Sequence, residues 1–181
     1  KVHLPQGTYR ITSALVIKTG VHIEGDGVEG TIIKFDGTGT GNAVIRSDNY
    51  ATFAAKSPQI GYEQDDLASP DPSTPSPQAP HSFTISDITL DGGYDYFPGD
   101  ASVGSGNRSA NGLQLCAYGY TLRDLRVRNC REDGIYSKWQ VQFGTPGPMR
   151  TMEARYTNVV VSKIGQNGIM FYGPHDSHWN S

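Results

Sequence analysis

Tyr120-Thr-Leu-Arg-Asp-Leu-Arg-Val127, with Asp133-Gly-Ile-Tyr-Ser137 beginning nine residues after its central Asp124, is the stretch on which the fold of this chain turns. The same two-part unit recurs upstream as Phe83-Thr-Ile-Ser-Asp-Ile-Thr-Leu90 with Asn111-Gly-Leu-Gln-Leu115. It recurs downstream as Arg155-Tyr-Thr-Asn-Val-Val-Val161 with Asn167-Gly-Ile-Met-Phe171. Registered on Asp87, Asp124 and Asn158, the copies lie 37 and 34 residues apart, and Asn158 again precedes Asn167 by nine. In the first copy that gap is 24, which puts fifteen extra residues into one turn. A fixed period with insertions confined to one corner is how a solenoid reads in sequence.

The units are rich in Val, Ile, Leu, Tyr and Thr and alternate apolar with polar, which predicts strands rather than helices. Twenty-two Gly and eleven Pro break every helical pattern. Each unit reads as a strand with a polar residue at its middle, and each Asn-Gly or Asp-Gly as turn chemistry. Strands of four to six residues cannot bury an apolar side alone; stacking coil on coil about 4.8 Å apart does bury it. Ala14-Leu-Val-Ile17, Val21-His-Ile-Glu24, Thr31-Ile-Ile-Lys-Phe35 and Ala43-Val-Ile-Arg46 fit as earlier coils. The expected fold is all-β, a right-handed parallel β-helix.

Val2-His-Leu-Pro-Gln-Gly-Thr-Tyr-Arg-Ile11, Gly20-Val-His-Ile-Glu-Gly-Asp-Gly27 and Thr31-Ile-Ile33 resemble the opening coils of the pectate-lyase superfamily. That group holds polysaccharide lyases, polygalacturonase-like hydrolases, mannuronan C5-epimerases and phage tailspike depolymerases. The resemblance spans nearly the whole chain and is specific for fold; unrelated chemistries share the scaffold. It implies a polysaccharide partner, an extracellular or virion-associated location and, for a tailspike, a homotrimer. Oxygen-rich calcium sites occur in the group, but no residue pattern fixes one here, and no cofactor is expected.

At 181 residues and a net charge of −3, one domain over 1–181 is expected, with excursions at 47–81, 93–110 and 139–153. No basic cluster suggests a nucleic acid, and no stretch reads as a signal peptide or an apolar bilayer span, so neither partner is expected. The missing cap before Leu4-Pro5 and the stop at Trp179-Asn-Ser181 read as a segment of a longer solenoid. Cys116 and Cys130 are expected as two free thiols. Ala68–Pro80 is Pro/Ser-rich and reads as an extended excursion, with acidic Tyr62–Asp66 beside it.

Aligning the second signature stacks Leu113–Cys116, Ile135–Lys138 and Ile169–Tyr172. Alternation then points Leu113, Ile135 and Ile169 inward, and with them Leu115, Ser137 and Phe171. Outward ladders follow as Gln114–Tyr136–Met170 and Cys116–Lys138–Tyr172. An amide, two phenols and an ammonium suit a sugar polymer. Tyr94, Asp95, Asp100, Arg108 and Trp139 in the flanking insertions, together with Asp176, join Gln114 and Tyr172 as expected substrate contacts. Arg108, Arg131, Lys138 and Arg150 favour an anionic or mixed glycan.

Three constellations carry chemistry. Glu132 and Asp133 occupy positions that resemble the acidic pair of polygalacturonase-like hydrolases, where one carboxyl acts as acid and another as base. The pattern departs at Asn111 and Asn167, where a further Asp is wanted, so the second carboxylate falls to Glu132, Asp95 or Asp100. Asp133 also reads as plain turn chemistry. Tyr136 and Lys138, two residues apart on the outward face, offer an acid or base and a positive charge for β-elimination. Phe171-Tyr-Gly-Pro-His-Asp-Ser-His178 resembles the Tyr-Gly-Phe-Asp-Pro-His-Glu motif of mannuronan C5-epimerases, which makes His175 a catalytic candidate; Gly173 stands where that family has Asp. His175, Asp176 and His178 lack a further spaced ligand group, so no metal is expected. The leading expectation is a polysaccharide lyase or glycoside hydrolase on an acidic extracellular or capsular glycan. The alternatives are an epimerase-like uronate-modifying enzyme and a non-catalytic glycan-binding tailspike or adhesin domain.

Overall fold

The computed structural model describes residues 1–37, 43–48, 50, 80–94, 111–138, 153–172 and 177–180. For Lys138 and Tyr172 the strand position is described. Asp95, Asp100, Arg108, Trp139, Arg150, His175 and Asp176 lie outside these residues, as do the Pro/Ser-rich run up to Ala79 and its acidic neighbour.

Thirteen strands are described: β1 Val2–Leu4, β2 Gly7–Ile11, β3 Leu15–Ile17, β4 His22–Gly25, β5 Thr31–Phe35, β6 Ala43–Ser47, β7 Thr84–Asp91, β8 Asn111–Leu115, β9 Tyr120–Cys130, β10 Ile135–Lys138, β11 Ala154–Ile164, β12 Ile169–Tyr172 and β13 His178–Asn180. They form two sheets in which every pairing is parallel. The first runs β1-β4-β7-β9-β11-β13, with β5 joining β2 to β7; the second runs β12-β10-β8-β6-β3. Successive coils stacking in register as parallel strands define a parallel β-helix, as the repeat predicts.

Each long strand of the first sheet bends within its length, and β9 and β11 turn again near their ends at Asn129 and Lys163. Asp87, Asp124 and Asn158 adopt left-handed backbone conformations, with φ of 59°, 45° and 50°. The recurring polar residue that reads as a strand midpoint is therefore a corner. Asp and Asn tolerate that region better than other non-glycine residues because their short polar side chains bond locally. The side chains also stack: Asn158 Nδ2 donates to Asp124 Oδ1 at 2.8 Å, and Arg123 donates to Asp87 at 3.0 Å. A second left-handed column, Gly20, Ser82 and Gly119, turns the chain just before this sheet. A coil thus has three flat runs, two from the first sheet and one from the second.

The interior is filled by register-matched apolar columns. Ile45, Leu113 and Ile135 form one, and Leu90 with Val127 another; all are inaccessible to solvent. Ser137, inward as its position predicts, meets the Tyr120 hydroxyl at 2.7 Å, and that hydroxyl meets Tyr156 Oη at 2.6 Å. The Tyr120 ring stacks on Phe83 at 5.1 Å and the Tyr156 ring on Trp179 at 3.9 Å. Burying hydroxyls is tolerable here because each finds another. Burial pushes the Tyr120 phenol well above its ordinary range and the Tyr156 phenol up to about 12. Cys116 and Cys130 are both buried free thiols.

The glycines of the Asn-Gly and Asp-Gly signatures answer to space. A Cβ on Gly112 would collide with Val127 and the Gly134 carbonyl, and one on Gly134 with Val161 and the Gly168 carbonyl, in each case on the next coil, whereas Gly168 has room. Gly134→Ala should therefore lower stability by about 1–3 kcal/mol, the usual range for overpacking. A urea midpoint equal to that of the unmodified protein would refute this.

Alkali provides a second check on the packing. Burial, aided by Asp91, pushes the Cys130 thiol up to about 12. An unfolded thiol ionises near about 8.5. Between those values the folded chain keeps a proton that the unfolded chain releases, so stability falls as pH rises through this window and is unaffected below it. Urea unfolding at stepped alkaline pH should show a shallower decline for Cys130→Ala; equal slopes would rule the thiol out as a cause.

Candidate functional site

The outer face of the second sheet carries one continuous column. Val16 pairs with Arg46, Arg46 with Gln114, Gln114 with Tyr136, and Tyr136 with Met170. Alternation along each strand sends the Leu15–Ile45–Leu113–Ile135–Ile169 column inward and this one outward. The register of Gln114, Tyr136 and Met170 is as the sequence predicts, and Lys138 pairs with Tyr172. Cys116 falls just past the end of β8, where its backbone N–H donates to Ser47 Oγ at 2.9 Å, so it is not a paired rung of the outer ladder.

Arg46 was not among the residues expected from sequence, nor was Tyr50. The Arg46 Nε donates to the Gln114 side-chain Oε1 at 2.9 Å, and its guanidinium carbon lies 5.7 Å from the centre of the Tyr50 ring. That distance is within cation–π range. Gln114 is buried, 7 % exposed, while Arg46, Tyr50 and Tyr136 are half-buried. Gln114 therefore works as the holder of Arg46. Burial, then the proximity of Tyr136, Cys116 and Asp133, pushes the Tyr50 phenol well above its ordinary range; Arg46 offsets part of this. A guanidinium thus sits beside the Tyr50 phenol, with Tyr136 two rungs along the same column, a set that can pair a carboxylate and handle protons.

The acidic pair stands at the corner leading into β10. Asp133 is buried, and its Oδ1 accepts from Asn167 N at 3.1 Å and Asn167 Nδ2 at 2.9 Å. Its own N–H donates to Asn111 Oδ1 at 3.2 Å. Asn111, Asp133 and Asn167 form a side-chain ladder that knits three coils together. Glu132 is half-buried, with Asn111 Nδ2 at 3.5 Å from its Oε2. Tyr94 is placed at the same corner: its N–H donates to the Asn129 carbonyl at 2.9 Å. His178 lies elsewhere, in β13 beside Arg155 on the first sheet. Among the described residues no group of three His, Cys, Asp or Glu side chains is placed to hold a metal ion.

Residues 1–66 match a protein family described as rhamnogalacturonase A/epimerase, pectate lyase-like. No curated protein matches the chain. The match, together with parallel coils throughout, fits a pectate lyase-like β-helix and supports a polysaccharide-active or related domain. The matched span includes Arg46 and Tyr50; Gln114, Glu132, Asp133 and Tyr136 follow it.

The ladder at Asp133 makes a test of its own. Asn167→Ala removes one donor from a buried carboxylate, and should lower stability by about 1.5–3 kcal/mol. An unchanged thermal midpoint would mean that the ladder does not hold the corner.

Proposed function

We propose that this protein degrades an acidic polysaccharide of the extracellular or capsular kind, and that it does so by β-elimination at the outer face of the second sheet. The observation that carries the reading is the Arg46–Gln114–Tyr136 column, three consecutive rungs with Arg46 fixed by Gln114. Neighbouring rungs are about 4.8 Å apart, so the Arg46 and Tyr136 backbones are separated by about 10 Å. Arg46 and Tyr136 flank Gln114 on this face, and a uronate ring seated over Gln114 spans the distance between them.

Elimination needs the uronate carboxylate neutralised so that the C5 proton becomes acidic. Arg46 supplies a positive charge and a planar fork that matches a carboxylate. As negative charge spreads onto the carboxylate in the transition state, the guanidinium stabilises it more than it stabilises the ground state. Tyr136, two rungs on, handles the C5 proton, with Lys138 next on its strand. The family description of a rhamnogalacturonase and an epimerase supports a polymer as substrate.

Hydrolysis by Glu132 and Asp133 is the rival. The Asn167 bonds to Asp133 weigh against it, because they give this buried carboxylate a structural task. Mass spectrometry of products from a panel of acidic bacterial, algal and plant polysaccharides decides between them. Fragments short of one water, with an ultraviolet-absorbing unsaturated uronide end, are expected. Fragments carrying an added water would overturn elimination in favour of the carboxylates. An uncut polymer with altered C5 stereochemistry would point to an epimerase-like activity, and an unaltered one to a binding module. Arg46→Gln should cut product formation by about 10²–10³-fold.

A further inference from the structure

We infer that Tyr50 is the proton donor to the departing sugar, an assignment that rests on the elimination reading above. Tyr50 follows β6 by three residues and brings its ring 5.7 Å from the Arg46 guanidinium carbon, beside the group that would hold the uronate. The arrangement is asymmetric, because the two phenols approach the guanidinium differently. Tyr136 stands on the sheet, two rungs from Arg46, whereas Tyr50 comes from the end of the Arg46 strand itself. One substrate ring held by Arg46 therefore has two phenols available from this face, the number that elimination asks for: one to take a proton at C5 and one to give a proton to the bridging oxygen on C4.

The surroundings of Tyr50 suit the donor. Its burial, with Tyr136, Cys116 and Asp133 close by, disfavours the phenolate, and Arg46 only partly compensates. The phenol therefore holds its proton until negative charge develops on O4, whose own basicity then draws the proton across. The step balances. In the state that reacts, Tyr136 Oη has given up its proton and takes the one on C5; the C5–H electron pair forms the C4=C5 double bond; the C4–O4 bond breaks, and O4 leaves with its electron pair and takes the Tyr50 proton. Tyr136 ends as phenol and Tyr50 as phenolate, and proton transfer from the first to the second, directly or through water, restores the starting state. No oxidant or further reactant is needed.

Tyr50→Phe keeps the ring beside Arg46 and removes only the hydroxyl. On the polymer that the unmodified protein cleaves, the rate should fall by about 10²–10⁴-fold, the usual contribution of a positioned acid. On a uronide carrying a nitrophenolate at C4, which departs without a proton, the variant should match the unmodified protein within a few-fold. An equal loss on both substrates would assign Tyr50 a merely structural part and overturn the inference. No loss on the polymer would overturn it too, leaving elimination intact. If the unmodified protein makes no unsaturated product from any polymer of the panel, the elimination reading falls and the role of Tyr50 falls with it.

Discussion

Every coil of this chain completes its backbone hydrogen bonds only by lying on the next, and all else in the molecule follows from that dependence. Parallel stacking forces residues of equal rank in successive coils into columns at the spacing of sheet strands. A column of apolar residues becomes core, a column of Asp and Asn becomes a corner, and a column of long polar residues becomes a surface with regularly spaced groups. The energetic unit is the column, since each side chain rests on its counterparts above and below. A change at one position is felt by its neighbours along the axis more than by its neighbours in sequence.

The corners show how tightly this is specified. Left-handed backbone at Asp87, Asp124 and Asn158 is costly for most residues, and recurs because the side chains bond to one another and to Arg123. The Asn111–Asp133–Asn167 ladder does the same on the other side of the coil. A polar residue that recurs at the solenoid period has two claims on it, structural and chemical. At Asp133 the hydrogen bonds favour the structural one.

Much of the fold was legible in the sequence, and the reason is local. The 34-residue step from Asp133 to Asn167 sets the register of Tyr136 on Met170 directly, because short strands leave no freedom to slip without turning the core outward. The bends were hidden: a polar residue among alternating apolar ones fits an outward strand position as well as a corner. The glycines after Asn111 and Asp133 looked like turn formers, yet their constraint comes from Val127 and Val161 and from the stacked Gly134 and Gly168 carbonyls, all on the next coil and outside any local window. Arg46 and Tyr50 escaped for a different reason. The period that places Arg46 beside Gln114 crosses 68 residues, twice the regular step, so no repeat reveals the pairing.

That long separation bears on how such a surface can change over evolutionary time. The entropy of closing a chain segment grows only with the logarithm of its length, so joining rungs across 68 residues rather than 34 costs about 0.6 kcal/mol more. A scaffold with this property accepts new sequence between coils almost without penalty, provided that the rungs on either side still pair. Arg46 and Gln114 meet as closely as residues on uninterrupted coils. Inherited variation can therefore accumulate beside the column while the column itself stays fixed.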